Sequence, residues 1–184
     1  MQKVAIFGNA GGGKSTLSRR LAKRTGLPWL PLDSVKYRPG GGEVPDTEYK
    51  AEHDALLAGE EWIIDGFGSM DTLWERLAAA DTLVYLDLPV WQHYWWVTKR
   101  CLKAAWSPPL SWPERSPIFK GTLTDYHTVR LCHEKLTPKY REYVEQAKKT
   151  KQVYHLQSRR EIKQFLNAVT PVQVSGVSTM DVAD

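Results

Sequence analysis

The chain has 184 residues, a formal net charge of +4, 42% hydrophobic residues and two cysteines. That length suffices for one domain with a substantial core, and two cysteines exclude both a disulfide scaffold and a cysteine-rich zinc module. The modest positive balance does not by itself mark a nucleic-acid binder, and no apolar run is long enough to cross a bilayer, so no membrane association is expected.

Val4-Ala5-Ile6-Phe7 is a continuous apolar run, as expected of a strand buried on both faces. It begins almost at the first residue, which leaves no room for a signal peptide and points to a reduced, cytoplasmic setting. Gly8-Asn9-Ala10-Gly11-Gly12-Gly13-Lys14-Ser15, followed by Thr16, then matches the phosphate-binding pattern G-x-x-x-x-G-K-[ST] (Walker A). Its glycines let successive backbone N–H groups turn inward around phosphate oxygens, Lys14 reaches the outer phosphates, and the Ser15 hydroxyl is suited to Mg²⁺. Such a motif arises by chance in Gly-rich loops, so its context decides. Here Leu17, Leu21 and Ala22 recur at helical spacing directly after the loop, and Gly26 with Pro28 stops that helix. Strand, loop and helix N-terminus therefore converge on one anion site.

Trp29-Leu30-Pro31-Leu32 predicts a second strand that delivers Asp33 at its C-terminal end, before a Gly/Pro-rich loop through Gly42. Asp46 to about Leu57 reads as a helix closed by Gly59, and Trp62-Ile63-Ile64 as a third buried strand ending at Asp65. Leu73 to Ala80 is a short helix, and Thr82 to Leu86 a fourth strand ending at Asp87. A Trp-rich helix follows to about Ala105, with Trp91 and Trp95 one turn apart and read as core. Four prolines between Trp106 and Gly121 predict an irregular, mobile segment in which Trp106 and Trp112 are placed to cover a substrate. Two helices, or one kinked helix, run from about Thr124 to Lys149, with Thr137 as an N-cap. Val153 to Leu156 is the last strand. Ser158 and Glu161 form a capping box that starts a final helix buried through Ile162, Phe165 and Leu166. Alternating strands and helices mean an α/β fold, a parallel sheet covered on both faces in three layers. The domain spans residues 1–168, with a peripheral tail over 169–184.

In a parallel sheet ligands sit beyond the carboxyl ends of the strands, which brings Asp33, Asp65 and Asp87 to the edge that carries the phosphate loop. Asp65 is the candidate to hold Mg²⁺ through water, against the ordinary reading of a turn aspartate before Gly66. Asp33 is suited to orient an acceptor hydroxyl and take its proton, against an equally available capping or turn role. Asp87 is read as structural. His127 and His133 lack partners at metal-ligand spacing.

The phosphate loop, Asp65-Gly66-Phe67, Tyr85-Leu86-Asp87-Leu88-Pro89 and Arg100 together resemble adenylate kinase and related small P-loop kinases. Adding Leu32-Asp33, Pro39-Gly40 and Ser158-Arg159-Arg160-Glu161, the order of motifs resembles the adenylate kinase-like group known as DNA topology modulation (FlaR-related) proteins, over about residues 1–168. The resemblance implies a P-loop NTPase sheet of order 2-3-1-4-5, a lid insertion over about 106–120, ATP with Mg²⁺ as the bound species, Arg100 directed at the transferring phosphates and Arg159 against the nucleotide base. It departs at Gly68-Ser69, where adenylate kinases carry the Pro-Arg that helps bind a nucleotide acceptor. Unless Lys36, Arg38 or Arg130 replaces that arginine, the expected acceptor is a hydroxyl-bearing small molecule. An ATP-dependent phosphotransferase is thus the leading expectation. A regulatory or nucleic-acid-associated NTPase is the alternative, with nucleic acid a possible but not favoured partner, its one basic run being Lys148-Lys149-Lys151. Neither the acceptor nor the oligomeric state is readable from the sequence.

Overall fold

The computed structural model describes residues 1–38, 42–104 and 118–171. In chain order the elements are β1 (Lys3–Gly8), α1 (Lys14–Thr25), β2 (Trp29–Pro31), α2 (Asp33–Lys36), α3 (Asp46–Ala58), β3 (Trp62–Asp65) and α4 (Met70–Ala79). They continue as β4 (Thr82–Leu86), α5 (Val90–Ala104), α6 (Ile118–Leu131), α7 (Thr137–Ala147), β5 (Gln152–Leu156) and α8 (Arg159–Ala168). The five strands pair in parallel in the order β2-β3-β1-β4-β5. This is the α/β architecture expected from the alternation of elements.

β1 lies at the centre and supplies both layers of core, because successive side chains of a strand point to opposite faces. Ala5 and Phe7 pack with Leu73 and Leu77 of α4 and with Tyr140 and Val144 of α7. Val4 and Ile6 pack on the other face with Leu17 and Leu21 of α1 and Phe165 and Leu166 of α8. Phe7 stacks on Tyr85 with ring centroids 5.0 Å apart, and Tyr140 meets both rings edge-on.

Two boundaries and one cap differ from the sequence-based expectation. β2 stops at Pro31, and Asp33 opens the short helix α2 instead of ending a strand. α6 begins at Ile118, not near Thr124. α6 and α7 form one kinked helix joined by a π-helical turn, Cys132–Leu136. Thr137 is consequently not an N-cap: its N–H and its hydroxyl both donate to the Cys132 carbonyl and so stabilise that wide turn. The candidate lid falls outside the described residues over 106–117, and its remaining residues open α6; the tail beyond residue 171 also lies outside them. Among the described residues no helix is long and apolar enough to cross a membrane.

The C-terminal end of α4 is held by Lys151, which sits just before β5. Its ammonium donates to the carbonyls of Leu77 at 3.0 Å, Ala80 at 2.7 Å and Ala78. A cation there satisfies orphan carbonyls and complements the helix dipole. Lys151→Met should therefore lower stability by about 1 kcal/mol, read as a reduced urea midpoint with an unchanged slope.

Candidate functional site

The phosphate loop leaves β1 at Gly8 and enters α1 at Lys14 with no side-chain cap and no acidic residue in the first turn. The first N–H groups of a twelve-residue helix are thus available to an anion. Gly11 and Gly13 are left-handed, with φ of 67° and 80°. Gly12 is required for another reason: a Cβ there would lie 2.9 Å from the His93 ring and 3.1 Å from the Asn9 carbonyl. The loop is fastened from two sides. His93 of α5, buried, faces the carbonyl of Ala10 through Nδ1 at 2.9 Å and that of Leu88 through Nε2 at 3.2 Å. Burial, with the nearby Lys14 charge, lowers its affinity for a proton, and the two carbonyls oppose this. Asn9 receives the Ala10 N–H on its Oδ1 at 2.7 Å and donates from Nδ2 to the Val129 carbonyl of α6 at 3.0 Å. The Lys14 ammonium donates to the carbonyls of Gly8 at 3.1 Å and Asn9 at 2.8 Å, so it stands inside the loop's curve. Ser15 is half-buried at the start of α1 and Thr16 is exposed.

The three aspartates expected at strand ends have three different environments. Asp65 is buried, pairs in register with Ile6 of β1, and accepts the Trp29 indole N–H on Oδ1 at 2.9 Å. Its Oδ2 is equally buried and has no hydrogen-bond partner among the described residues. Asp87 is fully engaged: Arg141 of α7 clasps it through Nε at 2.8 Å and Nη2 at 3.1 Å, and His155 of β5 meets it at 2.9 Å. Burial works against this carboxylate, but Arg141 and His155 outweigh burial and hold it below the usual carboxylate range. The structural reading of Asp87 is thereby explained. Asp33 is half-buried at the start of α2, and its Oδ1 lies 3.2 Å from where a Cβ on Gly66 would be.

Asp33 thus borders the turn between β3 and α4, residues 66–69. This turn is tightly enclosed: Gly68 has φ of 72°, and a Cβ there would lie 2.1 Å from the Tyr49 hydroxyl. Of the three basic residues considered as replacements for the missing arginine, Lys36 alone reaches the turn, donating to the Gly68 carbonyl at 2.9 Å. Arg38 pairs instead with Glu48 at 3.1 Å and Arg130 with Glu134 at 2.9 Å. A fourth cation escaped the sequence reading. Arg76 of α4 is completely buried and donates to the Gly66 carbonyl at 3.0 Å, with Phe67's at 3.5 Å. Its signal was its place on the buried stripe Leu73, Leu77, Ala80, where an arginine is out of character.

Arg100 lies in α5, but its side chain falls outside the described residues, as do Trp106 and Trp112. Arg159 is exposed at the start of α8 with its guanidinium 4.7 Å above the Trp96 ring, and Trp96 borders Gly13. Ser158 accepts the Glu161 N–H at 3.2 Å, while the Glu161 carboxylate takes the N–H of Gln157 at 2.8 Å, one residue before the N-cap. Trp91 and Trp95 contradict the core reading, being 64% and 58% exposed. The buried face of α5 is instead His93 and Val97, because the phosphate loop needs that face for close approach.

The sequence matches no family model and no curated protein. Among solved structures, the chain is similar to shikimate kinase from Acinetobacter baumannii in complex with shikimate. The two share 18% identity over 91% of this chain and 89% of that one, with a TM-score of 0.58. A sugar kinase from a Janibacter species gives 16% identity over 91% and 93% of the two chains, with a TM-score of 0.48. At 18% identity the likeness to the shikimate kinase is one of fold alone.

Two outcomes are expected of the engaged groups. Because the Asp87 carboxylate is held below its ordinary value of 3.8, its contribution is complete above that pH and is lost as pH falls through the depressed value. Asp87→Asn should cost about 2 kcal/mol at neutral pH, and urea titrations should show the gap to wild type narrowing below about pH 4. Gly12→Ala should push the loop off His93 and cost about 1–3 kcal/mol of stability, read as a lowered urea midpoint.

Proposed function

We propose that this protein is an ATP- and Mg²⁺-dependent phosphotransferase acting on a hydroxyl-bearing small molecule. The observation that carries the reading is the sheet edge itself: a phosphate loop opening onto an uncapped helix N-terminus, with Asp65 and Asp33 delivered beside it from β3 and just beyond β2. Its finer affiliation, with the DNA topology modulation (FlaR-related) group, rests on the order of motifs alone.

The residues fit the species this chemistry requires. Gly8 to Thr16 supply backbone donors and a lysine for the triphosphate of ATP. Ser15 offers a hydroxyl to Mg²⁺, and the Asp65 Oδ2, buried without a hydrogen-bond partner, fits a water held by that ion. The ion, when bound, neutralises charge on phosphate oxygens. Arg159 and Trp96, stacked beside Gly13, offer flat surfaces to a purine. In the transfer step an acceptor oxygen bonds to the γ-phosphorus of ATP while the bond to the ADP oxygen breaks. Asp33 orients the attacking hydroxyl and takes its proton. Lys14 and Arg100 offset the charge that spreads over the phosphoryl oxygens.

The absence of an arginine at position 69 favours a hydroxyl acceptor over a nucleoside monophosphate, although Lys36 supplies one cation at the same turn. The reading of a nucleic-acid-associated NTPase loses its basic run: Lys151 caps α4, and Lys148 pairs with Glu145 at 2.5 Å.

ATP-to-ADP turnover with Mg²⁺, run across nucleoside monophosphates, nucleosides and hydroxylated metabolites, tests the proposal. A single compound should raise turnover strongly, and Lys14→Ala should lower that rate by about 100-fold or more. Asp33→Asn should lower kcat by about 100-fold while leaving Mg·ATP affinity intact. Slow turnover that no compound stimulates, joined to ATP-sharpened and salt-dependent DNA affinity, would transfer the assignment to the regulatory NTPase.

A further inference from the structure

The guanidinium of Arg76 is the most unusual charge among the described residues. It is completely buried, and among the described residues it makes no ion pair and its Nε and Nη1 have no hydrogen-bond partner. Its protein contacts are the carbonyls of Gly66 and Phe67. Lys36 takes the next carbonyl, that of Gly68, at 2.9 Å. Three consecutive carbonyls of one turn are therefore each drawn toward a cation. In a trans peptide the N–H that follows a carbonyl points the opposite way, so the N–H groups of Phe67, Gly68 and Ser69 are turned away from Arg76 and Lys36. Ser69's goes to the Thr72 hydroxyl at 3.2 Å. Asp33 borders the same turn at Gly66.

We propose that Arg76 is a positioning residue for phosphoryl transfer: from beneath the sheet edge it fixes the orientation of the Gly66–Phe67–Gly68 turn, and through that turn the alignment of Asp33 and of the acceptor hydroxyl. The inference rests on the phosphotransferase reading above. A buried cation without a carboxylate partner is expensive, and an apolar side chain of similar length would suit the stripe between Leu73 and Leu77 at least as well. Burial works against the charge, and Asp65 and Asp33 are among the groups that help to sustain it. The residue thus carries its charge where the core meets the turn that Asp33 borders.

The test uses Arg76→Met and Arg76→Lys in the full chain. It reads thermal unfolding, Mg·ATP affinity, kcat and KM for the stimulating acceptor, and hydrogen exchange over residues 66–69. Arg76→Met should unfold within a few degrees of wild type and bind Mg·ATP equally well. Its kcat/KM for the acceptor should fall by about 100-fold, with Arg76→Lys recovering about tenfold of the loss, and exchange at the turn should accelerate. The proposal is overturned if folded Arg76→Met keeps kcat and acceptor KM within about twofold of wild type, whatever its stability. Should Arg76→Met fail to fold, Arg76→Lys decides: an unchanged kcat/KM together with unchanged exchange at the turn overturns the proposal. If no acceptor stimulates the wild-type protein, it is the phosphotransferase reading that fails. Exchange then judges Arg76 by itself: selective acceleration over 66–69 in Arg76→Met supports its hold on the turn, and unchanged protection refutes it.

Discussion

Everything at this site depends on the parallel pairing of β1 with β3 on one side and β4 on the other. That arrangement sends every strand end to the same edge. It sets Ile6 beside Asp65 and Gly8 beside Leu86, so the loop springs from the middle of the sheet with Asp65 ending one flanking strand and Asp87 just past the end of the other. The helices that cover the faces are needed to bury β1, whose Val4, Ala5, Ile6 and Phe7 are all inaccessible to solvent. The same burial makes the strand a rigid base for a loop that has little structure of its own.

A glycine-rich loop with few side chains of its own must be held by its carbonyls and by the polar side chains around it. His93, Asn9 and Lys14 do this from three directions, and each uses a carbonyl oxygen as one end of the contact. The turn after β3 is held in the same manner, by Arg76 and Lys36. Both halves of the site are thus backbone surfaces oriented from behind by buried or half-buried polar side chains. Asp87 belongs to a third such device. With Arg141 and His155 it ties the end of β4 to α7 and β5, and its charge is consumed there.

The strands, and Asp65 and Asp87 where apolar runs stop, were legible in the sequence because they rest on short, local signals; Asp33 was misplaced because β2 ends at Pro31 and the chain turns at once into α2. Long-range choices were not legible. The helix α5 carries two pairs at helical spacing, Trp91 with Trp95 and His93 with Val97, and hydrophobicity favours the wrong one. Only the closeness of Gly11 and Gly12 to α5, a tertiary fact, selects the second pair as the buried face. Arg76 was hidden for a related reason. It falls on the stripe of Leu73, Leu77 and Ala80, but arginines border such stripes so commonly that its complete burial is evident only in the fold. The start of α6 at Ile118 was masked by the prolines that precede it.

The π-helical turn between α6 and α7 sets an angular phase between two working surfaces. Seven residues of regular α-helix would place Val129 and Leu136 on nearly the same face. The wider turn winds by less per residue, so α6 presents the Val129 carbonyl to the phosphate loop while α7 directs Leu136, Tyr140 and Val144 into the sheet. This stretch is therefore measured in residue count as much as in residue type. Were Cys132–Leu136 to close into ordinary helix with its residue count kept, α7 would rotate by roughly a quarter turn against α6, whereas closing the turn with the loss of one residue would leave the two surfaces nearly in phase.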